Sequence, residues 1–102
     1  MNKKLGILLS TSPGNKNIET VIGLVHAALK SKVSVYLYLI DEGAECINDR
    51  RLVELTKNGL KLYVCAYGAQ KKGINPSDVA TFSGLATLSE LTTACDRFIA
   101  FG

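Results

Sequence analysis

The stretch Leu60-Lys61-Leu62-Tyr63-Val64-Cys65-Ala66-Tyr67-Gly68-Ala69-Gln70-Lys71-Lys72-Gly73 changes character halfway along. Up to Cys65 it is a short apolar run with aromatic and β-branched members, which is strand composition. From Ala66 it turns to small residues and good helix formers, and Gly73 halts it. A strand that passes directly into a helix is the repeating unit of an α/β sheet, because parallel strands need helical crossovers.

The same alternation recurs on either side. Leu5 to Ser10 is a short apolar run ended by the turn cluster Thr11-Ser12-Pro13-Gly14-Asn15. Ile18, Val21, Ile22, Val25, Ala28 and Leu29 recur at spacings of three and four and predict one helix of about four turns. Val33 to Ile40 reads as a strand buried on both faces, closed by Asp41-Glu42-Gly43. Asn48 is placed to cap a helix that carries Leu52, Val53 and Leu55 inward and stops at Asn58-Gly59. Residues 74–81, with the turn residues Asn75-Pro76-Ser77-Asp78, fit a short strand or a surface loop equally well. Ser83 is placed to cap a last helix with Leu85, Leu88 and Leu91 on one face, and Arg97 to Phe101 reads as a closing strand. The expected architecture is a single α/β domain over residues 1–102. It is a three-layer, flavodoxin-like sandwich with a mainly parallel sheet of about five strands and helices on both faces.

Composition narrows the functions. A chain of 102 residues suits one hydrophobic core, not two. With 47% apolar and 21% charged residues it does not belong to the disordered class. The formal charge of +3 is spread without a dense cationic patch, so no nucleic-acid partner is expected. Lys3-Lys4 precede an apolar run, Leu5 to Leu9, that falls short of the roughly 7–15 residues of a secretory signal. Val33 to Ile40 falls short of the roughly 20 residues that cross a bilayer. A cytoplasmic protein without a membrane partner is the expectation. The three cysteines, Cys46, Cys65 and Cys95, form no C-x-x-C pair and have no nearby histidine. Neither a disulfide framework nor a metal site is expected, and no organic cofactor is implied.

In open parallel sheets, reactive groups collect beyond the carboxyl ends of the strands. That makes Thr11 to Asn15, Asp41 to Gly43, Cys65 to Gly68 and the Ser83-Gly84 region the candidates. Cys65 is the one cysteine at such a junction. Free backbone N–H groups and the helix dipole at its position favour a thiolate. Lys71 and Lys72, about two turns on, add a field at longer range. Such a cysteine suits attack on sulfur or acceptance of a transferred sulfur atom; the competing reading is a small buried hydrophobe.

The other residues read more plainly. Cys46 follows the acidic segment Glu42-Gly43-Ala44-Glu45, whose carboxylates make it a poor nucleophile, and it acts as a resolving thiol only if that loop folds over Cys65. Cys95, beside Asp96, is expected to pack under the sheet, and His26 has no cysteine partner in sequence. Thr11 to Asn17 lacks the glycine patterns of nucleotide loops and reads as a polar turn with a helix cap. Asp41 and Glu42 read as a solvated carboxylate pair. Tyr36 and Tyr38 share one strand face and belong to a core or a subunit interface, not to a base-stacking surface.

The segment Leu62 to Ile74 resembles the cysteine segment of the DsrE/DsrF-like, TusD-related sulfur-relay family. Gly84-Leu85-Ala86-Thr87-Leu88-Ser89-Glu90-Leu91 and Asp96-Arg97-Phe98-Ile99-Ala100-Phe101 resemble that family's closing helix and strand. With the first strand, loop and helix and the Asp41-Glu42-Gly43 turn, the resemblance spans essentially the whole chain. It implies a DsrE-like sulfur carrier of sulfurtransferase type, working as a homo-oligomer or with related subunits between sulfur donor and acceptor proteins. Cys65 would hold the persulfide. Thr11, Ser12, Asp41, Glu42 and Gly43 would shape its entrance, with Ala66, Tyr67 and Gly68 opening the helix behind it. Two other readings stay open: a non-catalytic assembly or regulatory module with Cys65 packed, and a small-anion or nucleotide module using the Thr11–Lys16 loop.

Overall fold

The computed structural model describes residues 3–102. Four apolar runs and one short polar segment become strands: β1 (Lys4–Leu9), β2 (Ser34–Leu39), β3 (Lys61–Cys65), β4 (Thr81–Ser83) and β5 (Arg97–Phe101). They form one sheet in the order β4-β3-β2-β1-β5, and every pairing is parallel. Four α-helices make crossovers: α1 (Asn17–Lys30), α2 (Arg50–Lys57), α3 (Ala66–Lys71) and α4 (Leu85–Ala94). A 3₁₀ helix over Asp41–Asn48 precedes α2.

The two faces of the sheet are covered unequally. Ile7, Leu9, Val35, Leu37, Leu39, Leu62 and Val64 alternate out of their strands onto one face. There they meet Ile18, Val21 and Val25 of α1, Leu52 and Leu55 of α2, and Ala69 of α3. The opposite face carries Leu8, Tyr36, Tyr38, Tyr63, Cys65 and Phe98, and of the helices only α4 packs there, through Leu88 and Leu91.

Local chemistry moved several boundaries from their expected places. Asp41-Glu42-Gly43 does not simply close β2; it starts the 3₁₀ helix. Glu42, Glu45 and Asn48, three apart, stay exposed while Gly43, Ala44, Cys46 and Ile47 are buried, the period of a 3₁₀ helix. Asp41 enters it with φ at 54°, a left-handed conformation that aspartate tolerates. Gly43 must be glycine, because a Cβ there would stand 2.1 Å from the carbonyl oxygen of Leu9. Since Asn48 is used by the 3₁₀ helix, Asp49 caps α2 instead, accepting the Arg51 N–H at 2.9 Å. Ser83 is not the cap of α4. It ends β4, and the cap position falls to Gly84 with no side-chain hydrogen bond. Residues 74–80 form no strand. Leu85 is 60% exposed instead of sharing the buried face of Leu88 and Leu91.

Candidate functional site

Cys65 is both the last residue of β3 and the N-cap of α3. Its Sγ accepts the backbone N–H of Gly68 at 3.4 Å, the capping role a serine oxygen usually fills. The residue is buried, yet it lines a cavity of about 540 Å³ at the carboxyl edge of the sheet. The walls come from three connections: Ile40, Asp41 and Glu42 after β2, Tyr67, Gly68 and Lys71 of α3 with Lys72 at its end, and Gly84 and Leu85 after β4.

The rim mixes charge with apolar surface. Tyr67, 68% exposed, and Leu85 stand at the opening, and the Lys71 ammonium lies 5.5 Å from the centre of the Tyr67 ring. Lys72 reaches across to an ion pair with Glu42 and lies 4.0 Å from the Glu45 carboxylate. The hydrogen bond to Glu42 holds the Lys72 ammonium above its ordinary range. This pair ties α3 to the 3₁₀ helix along one side of the cavity.

Behind Cys65 lie two hydroxyls. Tyr38 is fully buried in the same cluster as Cys65 and Leu91. Its hydroxyl offers one proton to two backbone carbonyls, Ser83 at 3.2 Å and Gly84 at 3.1 Å. Burial pushes the phenol up, the nearby Ser83 side chain opposes this, and neighbouring Cys65 adds to it. The Oγ of Ser83 is buried and has no hydrogen-bond partner among the described residues.

Of the residues singled out from sequence, the cavity gathers Cys65, Asp41, Glu42, Tyr67 and Gly68, together with Lys71, Lys72 and Gly84. Gly43 and Ala66 flank it in sequence but do not line it, and neither do Thr11 and Ser12. Thr11 belongs with Cys46: the Cys46 thiol donates to the Thr11 carbonyl at 3.7 Å, and Cys46 packs in the larger core cluster. Cys46 and Cys65 therefore face opposite sides of the sheet, and the 3₁₀ segment does not bring Cys46 over Cys65. Burial, more than the nearby Asp49 and Glu45 carboxylates, pushes the Cys46 thiol to about 11. All three thiols are free. His26 is exposed, and it lines a separate groove between α1 and α2. Ile40, Leu85 and Tyr38 escaped the sequence reading as site residues, and Lys72, expected only as a distant field, lines the cavity instead. For Leu85 the available signal was position, since it lies within one turn of a strand's carboxyl end.

Among the described residues no group of three or more His, Cys, Asp or Glu side chains is placed to hold a metal ion. No helix there is long and apolar enough to cross a membrane.

A parallel α/β sheet with a cysteine at the strand–helix junction, opening into a cavity, defines the class of the molecule. The sequence matches the DsrE/DsrF-like family over residues 3–101, nearly its whole length, and the chain belongs to that family. Two solved structures share the fold. The ychN protein from E. coli superposes with a TM-score of 0.83 at 16% identity, covering 99% of this chain and 100% of that one. A conserved protein of unknown function from Bacteroides thetaiotaomicron, BT1422, gives 0.80 at 13% identity, covering 97% and 95%. At these identities the likeness is one of fold. Among curated proteins none matches this sequence.

Proposed function

We propose that this protein is a sulfur carrier, in which Cys65 takes up sulfane sulfur as a persulfide and yields it to a partner thiol. The observation that carries the reading is the seat of Cys65: a sulfur receiving a backbone N–H, at the floor of a cavity whose rim holds Tyr67 and Leu85. Membership of the DsrE/DsrF-like family supports it. In uptake, the Cys65 thiolate attacks the outer sulfur of a donor R–S–SH. A Cys65 S–S bond forms as the donor S–S bond breaks, and R–S⁻ leaves with the electron pair and takes up a proton. The sum, Cys–SH plus R–S–SH giving Cys–S–SH plus R–SH, needs no outside oxidant. Delivery repeats the step with an acceptor thiolate attacking the outer sulfur and Cys65 as the leaving group. The Lys72–Glu42 pair and the Lys71–Tyr67 contact give the rim the polarity to meet a donor protein. Three free thiols suit a reducing compartment such as the cytoplasm. The thinly covered face beside α4 suits a homo-oligomer or an assembly with related subunits.

The test is intact mass after exposure to a persulfide donor, for the native chain and for Cys65→Ala, Cys46→Ala and Cys95→Ala. Gain of one sulfur, lost only in Cys65→Ala, is the expected result. No gain, or sulfur shared evenly by the three cysteines, overturns the reading and leaves a packed, non-catalytic module in its place.

A further inference from the structure

We propose that the hydroxyl of Ser83 is a second hydrogen-bond donor to the sulfur of Cys65, engaged when that sulfur is ionised. The inference rests on the reading of Cys65 as the working sulfur. It starts from an anomaly. A buried hydroxyl without a partner is unfavourable, and native chains rarely keep one without a use, yet the Ser83 Oγ has none among the described residues.

The sheet register supplies the use. Ser83 on β4 is the direct partner of Cys65 on β3. The residues before them, Phe82 and Val64, pack into the larger core cluster on one face, so Ser83 and Cys65 both turn to the other face. Paired strands lie about 4.8 Å apart, within which one χ1 rotation of a serine carries its hydroxyl toward the neighbouring side chain. A neutral thiol is a weak acceptor and has its donor already in the Gly68 N–H. A thiolate accepts more than one strong hydrogen bond. The Tyr38 hydroxyl also neighbours Cys65, but its single proton is directed to the Ser83 and Gly84 carbonyls. Those same bonds fix the end of β4 beside Cys65, which makes Tyr38 a positioning residue and leaves Ser83 as the hydroxyl able to turn.

The test is the rate at which iodoacetamide alkylates Cys65 in the full chain, read by mass at the Cys65 peptide near neutral pH. Ser83→Ala is expected to slow it roughly tenfold, the effect of losing one hydrogen bond to a charged group. Ser83→Thr, which keeps the hydroxyl, is expected to restore the rate. The deficit should close in strong alkali, where ionisation needs no donor, and the thermal midpoint of Ser83→Ala should equal or exceed that of the native chain. A native rate in Ser83→Ala overturns the assignment. So does a slowing that persists in alkali or comes with a lowered midpoint, since either marks a structural loss. Failure of the carrier reading looks different: the native chain takes up no sulfur from the persulfide donor, whatever Ser83→Ala does to alkylation.

Discussion

Three cysteines in a small chain take three places: Cys46 in the larger core cluster, Cys65 at the cavity, and Cys95 half-buried before β5. Burial pushes the Cys46 thiol from an ordinary 9.0 to about 11. Between those values the unfolded chain has lost a proton that the folded chain keeps, so stability falls as pH rises. The contribution is whole below about pH 9, is lost as pH climbs through about 11, and amounts to about 3 kcal/mol. Cys95, Tyr38 and Tyr63, each also pushed up chiefly by burial, act in the same direction. Urea midpoints measured from neutral pH to about pH 10.5 are expected to decline, and Cys46→Ala to decline less steeply. At this scale Cys65 was legible, because a strand ending on a cysteine and a helix starting after it are both local patterns. Tyr38 was not, since its alternation with Val35, Leu37 and Leu39 marks it as core and says nothing of where its hydroxyl ends. Nor was the Lys72–Glu42 pair, whose partners lie 30 residues apart and meet only through the fold.

Among the elements, the long ones announced themselves and the short ones did not. β2 is a near-continuous apolar run and α1 carries an unbroken helical period, and both stand within a residue or two of their expected places. β4 has three residues, too few for any period, and exists because β3 offers it an edge. The 3₁₀ helix did leave a trace, in the three-residue spacing of Glu42, Glu45 and Asn48, but glycine and acidic residues read first as a turn. Its length decides which residue caps α2. Asp49→Ala is therefore expected to lower stability by about 1 kcal/mol in urea unfolding, whereas Asn48→Ala should change it little. The bonds from Arg51 to Asp49 and Glu19 add modestly to that cap, because Arg51 and Glu19 stand well exposed.

For the molecule as a whole, the parallel sheet of five strands followed from strand–helix alternation, whereas the order β4-β3-β2-β1-β5 and the lopsided layering did not, because periodicity tells how much of a helix is apolar but not which face it will cover. Three helices and the 3₁₀ segment sit on one side, and the ten residues of α4 on the other. Tyr36 and Tyr63, stacked at 6.5 Å with Lys61 over Tyr36, are only half-buried on that thinner side. Sedimentation at micromolar concentration is expected to show an oligomer, and Tyr63→Glu to shift it toward monomer; a native chain that sediments strictly as a monomer counts against assembly. The sheet has one more consequence, which concerns loss of cargo. A persulfide facing a second thiol within its own chain would collapse to a disulfide and release hydrogen sulfide. Here Cys46 is on the far side of the sheet. Cys95 abuts Gly6, which registers with Tyr36 and, through it, with Lys61. That puts Cys95 two strands across from Cys65 and four residues back along β3, about 13 Å at strand rise. The fold insulates its thiols from one another, so a persulfide on Cys65, as proposed, would meet no internal short circuit and would discharge only to a thiol brought from outside.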